Sequence, residues 1–303
     1  MNSIHLTPAA ERSPGLAEIP PLLLPQLDRH YLKRATRLRQ LAEGHDLADY
    51  LRFVANVVDI QQQLLEALPL PASQIADLAT RLGGGHPPLA TASLSRSPYW
   101  QALLKALIER LHPQASAPVQ ATLQALRELD GADLETRASA LLAGDFAGVD
   151  SGQALFIWSA LSLYFTQLAA HLPASASALP GERRQFCPVC TSVPVASVIM
   201  TGAQAGLRYL HCGLCESRWH MVRLKCSNCE ETGKLDYWSL DEHNVACKAE
   251  SCGDCQSYLK VFYLEHDREL EVVADDLATL ALDAEVERED FARSSLSPFL
   301  FPG

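Results

Sequence analysis

Between about residue 22 and residue 172, apolar side chains recur at steps of three and four between Pro, Gly and Asp stops, which predicts a run of amphipathic helices. Leu47, Tyr50, Leu51, Val54, Val57 and Val58 would share one helical face, and Trp100, Leu103, Leu104, Leu107 and Leu111 another. Further helices are expected at about 117–129, 133–143 and 151–172, with breaks such as GGGHPP and DGAD separating elements. Each would give one apolar stripe to a shared core, as in an all-α domain. The run from Ser151 to Gly181 carries no Asp, Glu, Lys or Arg, and LFIWSALSLYFTQLAAHL is long enough to suggest a membrane span. Ser159, Ser162, Thr166, Gln167 and His171 interrupt it and Pro173 stops it, so the expectation is a buried central helix and no membrane insertion.

The pattern changes at LPASASALPGERRQ, residues 172–185, a Pro, Ala and Ser stretch with the composition of a linker. Beyond it, VPVASVIM, GLRYLH, RWHMVRL, KLDYWSL and YLKVFYL read as short strands, each beside a Cys-x-x-Cys pair. EVVADDLATLALDAEVERED returns to helical spacing, with Val272, Leu277, Leu280 and Val286 on or near one face. The predicted fold is therefore multi-domain, α plus small β. A helical domain over 1–180 precedes two tandem four-cysteine modules of the zinc-ribbon or rubredoxin-like kind, at 181–225 and 226–266, and a C-terminal helix and tail over 267–303.

Composition adds the compartment. The chain has 303 residues and is 48% hydrophobic, enough for about two packed domains. Its start, MNSIHLTPAAERSPGLAEIP, places Glu11, Arg12 and Glu18 where a secretory signal needs an unbroken apolar core, so a cytoplasmic chain is expected. Thiols are kept reduced there, and repeated Cys-x-x-Cys then points to metal or redox chemistry in preference to disulfides.

Charge narrows the partners. The formal net charge is -11, against the basic excess on which phosphate-backbone affinity is built. Across residues 182–266, nine Lys or Arg face ten Asp or Glu, so no nucleic acid partner is expected, although Tyr209, Trp219, Tyr237, Trp238 and Tyr258 could stack bases. Residues 265–291 hold eleven Asp or Glu against Arg268 and Arg288 alone, a balance of -9. A solvated face is the expected use of that acidity.

The candidate chemistry lies in the cysteines: Cys187 and Cys190, Cys212 and Cys215, Cys226 and Cys229, Cys252 and Cys255, with Cys247 left over. A shift of 39 or 40 residues maps the first four onto the last four, and CGLCESRWHMVRL aligns with CGDCQSYLKVFYL, so one small unit is used twice. The spacing C-x2-C-x21-C-x2-C, then C-x2-C-x22-C-x2-C, is close to that of a four-cysteine zinc ribbon or rubredoxin-like site. Two intervening residues let both thiolates of a pair turn to one ion, and four thiolates make a tetrahedral soft site for zinc or iron. The ten residues between Cys215 and Cys226 leave a second pairing open, in which the two middle pairs close together. His211, His220 and His243 are alternative ligands, and Cys247 is a spare thiol.

Four thiolates leave no open coordination position, which disfavours hydrolytic catalysis; the metal is then structural, or redox-active if it is iron. GGGHPP lacks the Lys and Ser or Thr of a phosphate-binding loop, and neither Gly-x-Ser-x-Gly nor His-Glu-x-x-His occurs. No catalytic residue is proposed and the chain reads as a non-enzyme. Two classes remain at this point: a protein-binding, chaperone-like factor and a nucleic-acid-binding zinc-ribbon protein.

Five phrases, RYLHCGLCESRWHMVRLKCSNC, GKLDYWSLD, KAESCGDCQSYLK, VADDLATLALDA and ARSSLSPFLFP, together resemble the formate dehydrogenase accessory protein family, FdhE. The likeness is dense from about 186 to 302 and looser over the helical half. It implies a cytoplasmic, non-enzymatic assembly factor for respiratory formate dehydrogenase that contacts the catalytic subunit of that enzyme. It also implies two ions, iron in preference to zinc, held by Cys187, Cys190, Cys212 and Cys215 and by Cys226, Cys229, Cys252 and Cys255.

Overall fold

The apolar stripes assemble into helices α1 (His30–Leu41), α2 (Ala48–Ala67), α3 (Ala72–Thr80), α4 (Tyr99–Leu111), α5 (Ala117–Glu128), α6 (Gly131–Leu142) and α7 (Ser151–Ala170) in a computed structural model of the chain. The structure describes residues 19–82, 86–173, 175–176, 184–241 and 245–302. His243, the three glycines of GGGHPP and most of the expected linker lie outside them. DGAD turns out to be a cap more than a break: the Asp130 carboxylate accepts from Ala132 N and Asp133 N, both at 2.8 Å, and α6 starts at once.

The charge-free sequence of α7 has a packing cause. Every side chain from Ala154 to Ala169 is buried, so the helix keeps no polar face. Helices α2, α4, α5 and α6 all pack against it. Among the described residues no helix is long and apolar enough to cross a membrane.

The cysteine half builds strands β2 (Pro194–Ile199), β3 (Arg208–Cys212), β4 (Arg218–Met221), β5 (Leu235–Trp238), β6 (Cys247–Cys252), β7 (Ser257–Tyr263) and β8 (Ala292–Arg293), while β1 (Leu22–Leu23) comes from the N-terminal side. Each repeat is a three-stranded antiparallel unit, β2–β3–β4 and β5–β6–β7. The two units share one sheet of order β1-β4-β3-β2-β7-β6-β5, with β8 on β7. They join through parallel pairing of β2 with β7, Ser197 opposite Val261 and Ile199 opposite Tyr263.

The expected C-terminal helix is two, α8 (Val272–Ala278) and α9 (Leu280–Arg288), broken at Thr279. The solvated acidic face needs correction. Glu285, Glu287, Glu289 and Asp290 are exposed, but Asp275, Asp276 and Asp283 are buried. Arg37 pairs with Asp275 at 2.6 Å, Lys260 with Asp276 at 2.8 Å and Asp283 at 2.6 Å, and Arg293 with Asp276 at 2.6 Å. Buried carboxylates need such partners, and here they fix α8 to α1 and to the second unit. The apolar ending packs inward: Phe299 and Phe301 are buried, and Phe301 lies 5.5 Å from the Trp158 ring.

Candidate metal centres

Each unit brings its four cysteines together. Cys187, Cys190, Cys212 and Cys215 form one group and Cys226, Cys229, Cys252 and Cys255 the other, with the four Sγ atoms of each within 4.8 Å of one another. All nine cysteines are free thiols. The pairing across Cys215 and Cys226 does not occur. The Sγ···Sγ distances are 3.6 Å for Cys187 to Cys215, 3.4 Å for Cys190 to Cys212, 3.8 Å for Cys226 to Cys255 and 3.7 Å for Cys229 to Cys252. A tetrahedral ion with metal–sulfur bonds near 2.3 Å sets its ligands about 3.8 Å apart, so both groups fit one zinc or iron ion.

The local fold explains the convergence. At Cys187 and Cys226 the chain turns back on itself, Thr191 N donating to Cys187 O at 2.8 Å and Glu230 N to Cys226 O at 3.1 Å. The turn leaves backbone N–H groups pointing at sulfur: Asn228 N and Cys229 N lie 3.3 and 3.5 Å from Cys226 Sγ, and Leu214 N and Cys215 N both 3.4 Å from Cys212 Sγ. The residue after the second cysteine of every pair is left-handed, with φ of 67° at Thr191, 60° at Glu216, 67° at Glu230 and 54° at Gln256. Glycine is the usual sequence signal for such a conformation, and none of these four positions has it. The repeated serine, by contrast, has a visible role: Ser217 Oγ sits 3.4 Å from Cys215 Sγ and Ser257 Oγ 3.0 Å from Cys255 Sγ.

The centres differ in burial. All four sulfurs of the first belong to buried residues, whereas Cys229 and Cys255 of the second are half-buried. Burial pushes the Cys187 and Cys190 thiols up, so four thiolates in that interior require a cation to neutralise them. At the second centre burial also raises Cys255, but the Ser257 hydroxyl, Cys229 and the Asn228 amide outweigh it and draw the thiol down to about 7.

The first centre is embedded in the helical half. Leu89 N donates to Val189 O at 2.9 Å and Thr91 N to Cys190 O at 3.1 Å. Trp158 Nε1, from α7, donates to Gly213 O at 3.1 Å, inside the Cys212 to Cys215 turn. Trp158→Phe would leave that carbonyl without its partner at a cost of about 1–3 kcal/mol. The expected result is release of the first ion to a chelator about tenfold faster, with the second ion unaffected; equal acceleration of both would show that Trp158 does not act through this turn.

Of the candidate histidines, the two among the described residues, His211 and His220, have partners other than a metal. His211 Nδ1 accepts from Arg218 Nε at 3.0 Å and its Nε2 meets Glu216 Oε2 at 2.7 Å. Burial lowers its pKa more than Glu216 raises it, which keeps the ring neutral. His220 packs edge-on to Tyr209 with ring centroids 5.6 Å apart. Cys247 stands apart from both groups, its sulfur 3.8 Å from Thr279 Oγ1 and its thiol raised to about 12 by burial.

Sequence reasoning missed the charged network behind the first centre. Arg34 forks onto Glu216 with two 2.8 Å bonds and onto Glu271 at 3.1 and 2.9 Å. Burial pushes Glu216 up, but Arg34 and His211 more than offset it and hold the carboxyl well below the usual range. The outer side of this network opens to a cleft of roughly 1090 Å³ lined by Arg29, His30, Arg37, Glu216 and Arg218 among others. Nothing in the sequence pairs residue 34 with 216 or 271, so only the three-dimensional fold exposes the link.

A helical layer carrying a continuous sheet with two closed four-thiolate groups defines a metal-binding double-ribbon protein. Comparison with known proteins supplies the family. The family models "FdhE, N-terminal", "FdhE, central domain" and "FdhE, C-terminal domain" match residues 19–182, 186–223 and 224–300, and the chain belongs to the FdhE family. It is 56% identical over 295 residues to a "Protein FdhE homolog" of Edwardsiella ictaluri, covering 97% of this chain and 96% of that one. It is 53% identical over 285 residues to "Protein FdhE" of Escherichia coli K12, covering 94% and 92%. The crystal structure of the FdhE protein from Pseudomonas aeruginosa superposes with a TM-score of 0.85 at 39% identity, covering 94% of this chain and all of that one.

Proposed function

We propose that this chain is a cytoplasmic, non-enzymatic accessory factor for respiratory formate dehydrogenase, which binds the catalytic subunit of that enzyme during its assembly. Membership of the FdhE family supports this reading. The observation that carries the non-catalytic part is the closure of both centres: four convergent sulfurs leave no position for a substrate. Cys187, Cys190, Cys212 and Cys215 hold one ion and Cys226, Cys229, Cys252 and Cys255 the other, with iron as the native metal. Iron would supply one-electron chemistry that zinc could not, and with it a redox check on the client. The boundaries at 180, 225 and 266 separate a helical body, two metal modules and a C-terminal clasp. The cleft beside Glu216 gives the helical body a concave surface next to the first module.

Cys226→Ser with Cys229→Ser is expected to remove one ion from purified protein. In cells, formate dehydrogenase activity should fall more than tenfold while its catalytic polypeptide is still made. Wild-type activity in that variant would refute the reading. Protein purified without added metal and without oxygen should carry two irons and a red absorption that bleaches on reduction; two colourless zinc ions would end the redox role and leave the ribbons as clamps.

A further inference from the structure

The internal repeat says what lies on a sheet edge that the described residues leave open. Strands β2, β3 and β4 correspond to β5, β6 and β7, so the strand equivalent to β5 is β2. In the first unit the outer edge of β2 is covered by β7, running parallel. In the second unit β5 pairs with β6, and among the described residues nothing pairs with its other edge. The match extends to the main chain. Met200 N donates to Leu207 O and Leu264 N to Ile199 O, so even-numbered residues of β2 face β3 while Ser197 and Ile199 face β7. In β5, Gly253 N donates to Lys234 O, which by the same alternation turns Asp236 and Trp238 to β6 and leaves Tyr237, the equivalent of Ser197, facing outward. Two large apolar side chains on β5 and just beyond it stay exposed, Tyr237 at 43% and Leu240 at 56%, whereas β2 is buried throughout.

We propose that the outer edge of β5 is a docking strand, onto which an extended apolar segment of a partner polypeptide pairs in parallel, as β7 does on β2. The residues of β7 that meet β2 are Val261, Phe262 and Tyr263, which sets the chemistry of the segment: consecutive β-branched and aromatic residues without charge. A second copy of this chain fits less well. The strand it would have to offer by the repeat relation is β4, and the outer edge of β4 is already held by β1. The inference rests on the assembly reading only for the donor of the segment, the formate dehydrogenase catalytic subunit.

The test is hydrogen exchange of the full, metal-loaded chain with and without purified catalytic subunit, together with binding by Tyr237→Pro and Tyr237→Phe. Proline removes an outward N–H and leaves the β6 ladder alone; phenylalanine keeps that N–H and loses only the hydroxyl that donates to Glu250 at 2.6 Å. Exchange across 235–240 should slow at least about tenfold on binding, and proline should weaken binding by about tenfold while phenylalanine stays within about threefold. Binding without protection of 235–240 overturns the docking strand and leaves the assembly reading standing, as does equal binding by the two variants. Failure of the wild-type chain to bind the subunit overturns both. Protection that grows with chain concentration alone would make a second copy the occupant and overturn the proposal. If the proline variant loses its metal, the exchange pattern of the wild-type chain decides.

Discussion

Serine at both Cys190 and Cys212 is expected to abolish cooperative folding of the chain, not merely to empty one site. Both cysteines are fully buried, and the turn around Cys190 is bonded through its carbonyl to Thr91 of the helical half. Structural zinc binding contributes about 10–16 kcal/mol in zinc-finger peptides. A whole domain is stable by only about 5–15 kcal/mol. Loss of the first ion therefore removes a free energy as large as the whole reserve of a domain, and the remaining thiols and new hydroxyls stay in an interior with no cation. The second centre, half-exposed at Cys229 and Cys255, stands outside this junction. The expected contrast is a chain lacking a thermal transition when the first site is lost, and one that keeps its helical transition when Cys226 and Cys229 are replaced. Circular dichroism and limited proteolysis read both, and equal tolerance of the two double replacements would remove the distinction between the centres.

Arg34→Met is the second large effect, expected at about 3–5 kcal/mol of unfolding free energy because it strands the buried Glu216 carboxylate and the half-buried Glu271. Arg34 itself is 1% exposed and serves Glu216 and Glu271 at once. Burial raises both carboxyls, and Arg34 is the main cause of their net displacement below the ordinary range. A depressed carboxylate contributes stability that is present above the unfolded value, about 4.3 for Glu, and lost as pH falls through the folded one. The deficit of the variant should therefore be largest near pH 7 and should shrink below about pH 4. Urea unfolding at the two pH values measures it. A deficit independent of pH would place the loss in packing instead of in the ion pairs.

How much of this was legible in the sequence depends on whether the signal is local. The helices over α2, α4 and α7 follow from apolar spacing, and the two metal groups follow from the cysteine repeat, because both signals lie within a few turns or one hairpin. Strand β6 gave no such signal. CKAESC carries Lys248 and Glu250, and the buried Glu250 is met by Arg208, 42 positions earlier, at 2.7 Å and by the Tyr237 hydroxyl at 2.6 Å. The buried acids of α8 escaped for the same reason, since their cations come from α1, β7 and β8. The break at Thr279 had no Gly or Pro to mark it, and β1 is two leucines whose strand character comes wholly from pairing with β4. The four left-handed residues after the cysteine pairs are set by the turn around sulfur and not by residue type.

The order in which the chain is synthesised gives the packing of the tail a meaning of its own. All four thiols of the first centre exist once residue 215 has been made, yet the wall beside them comes from the end of the chain. A Cβ on Gly213 would meet Leu296 O at 3.4 Å and the Pro298 ring at 3.5 Å, and Phe301 reaches Trp158 behind the same turn. During synthesis, then, all four thiols are made before the residues that wall their turn. Domains fold as they emerge, N-terminal first. Leu296 and Pro298 wall the Gly213 turn only once that tail has docked.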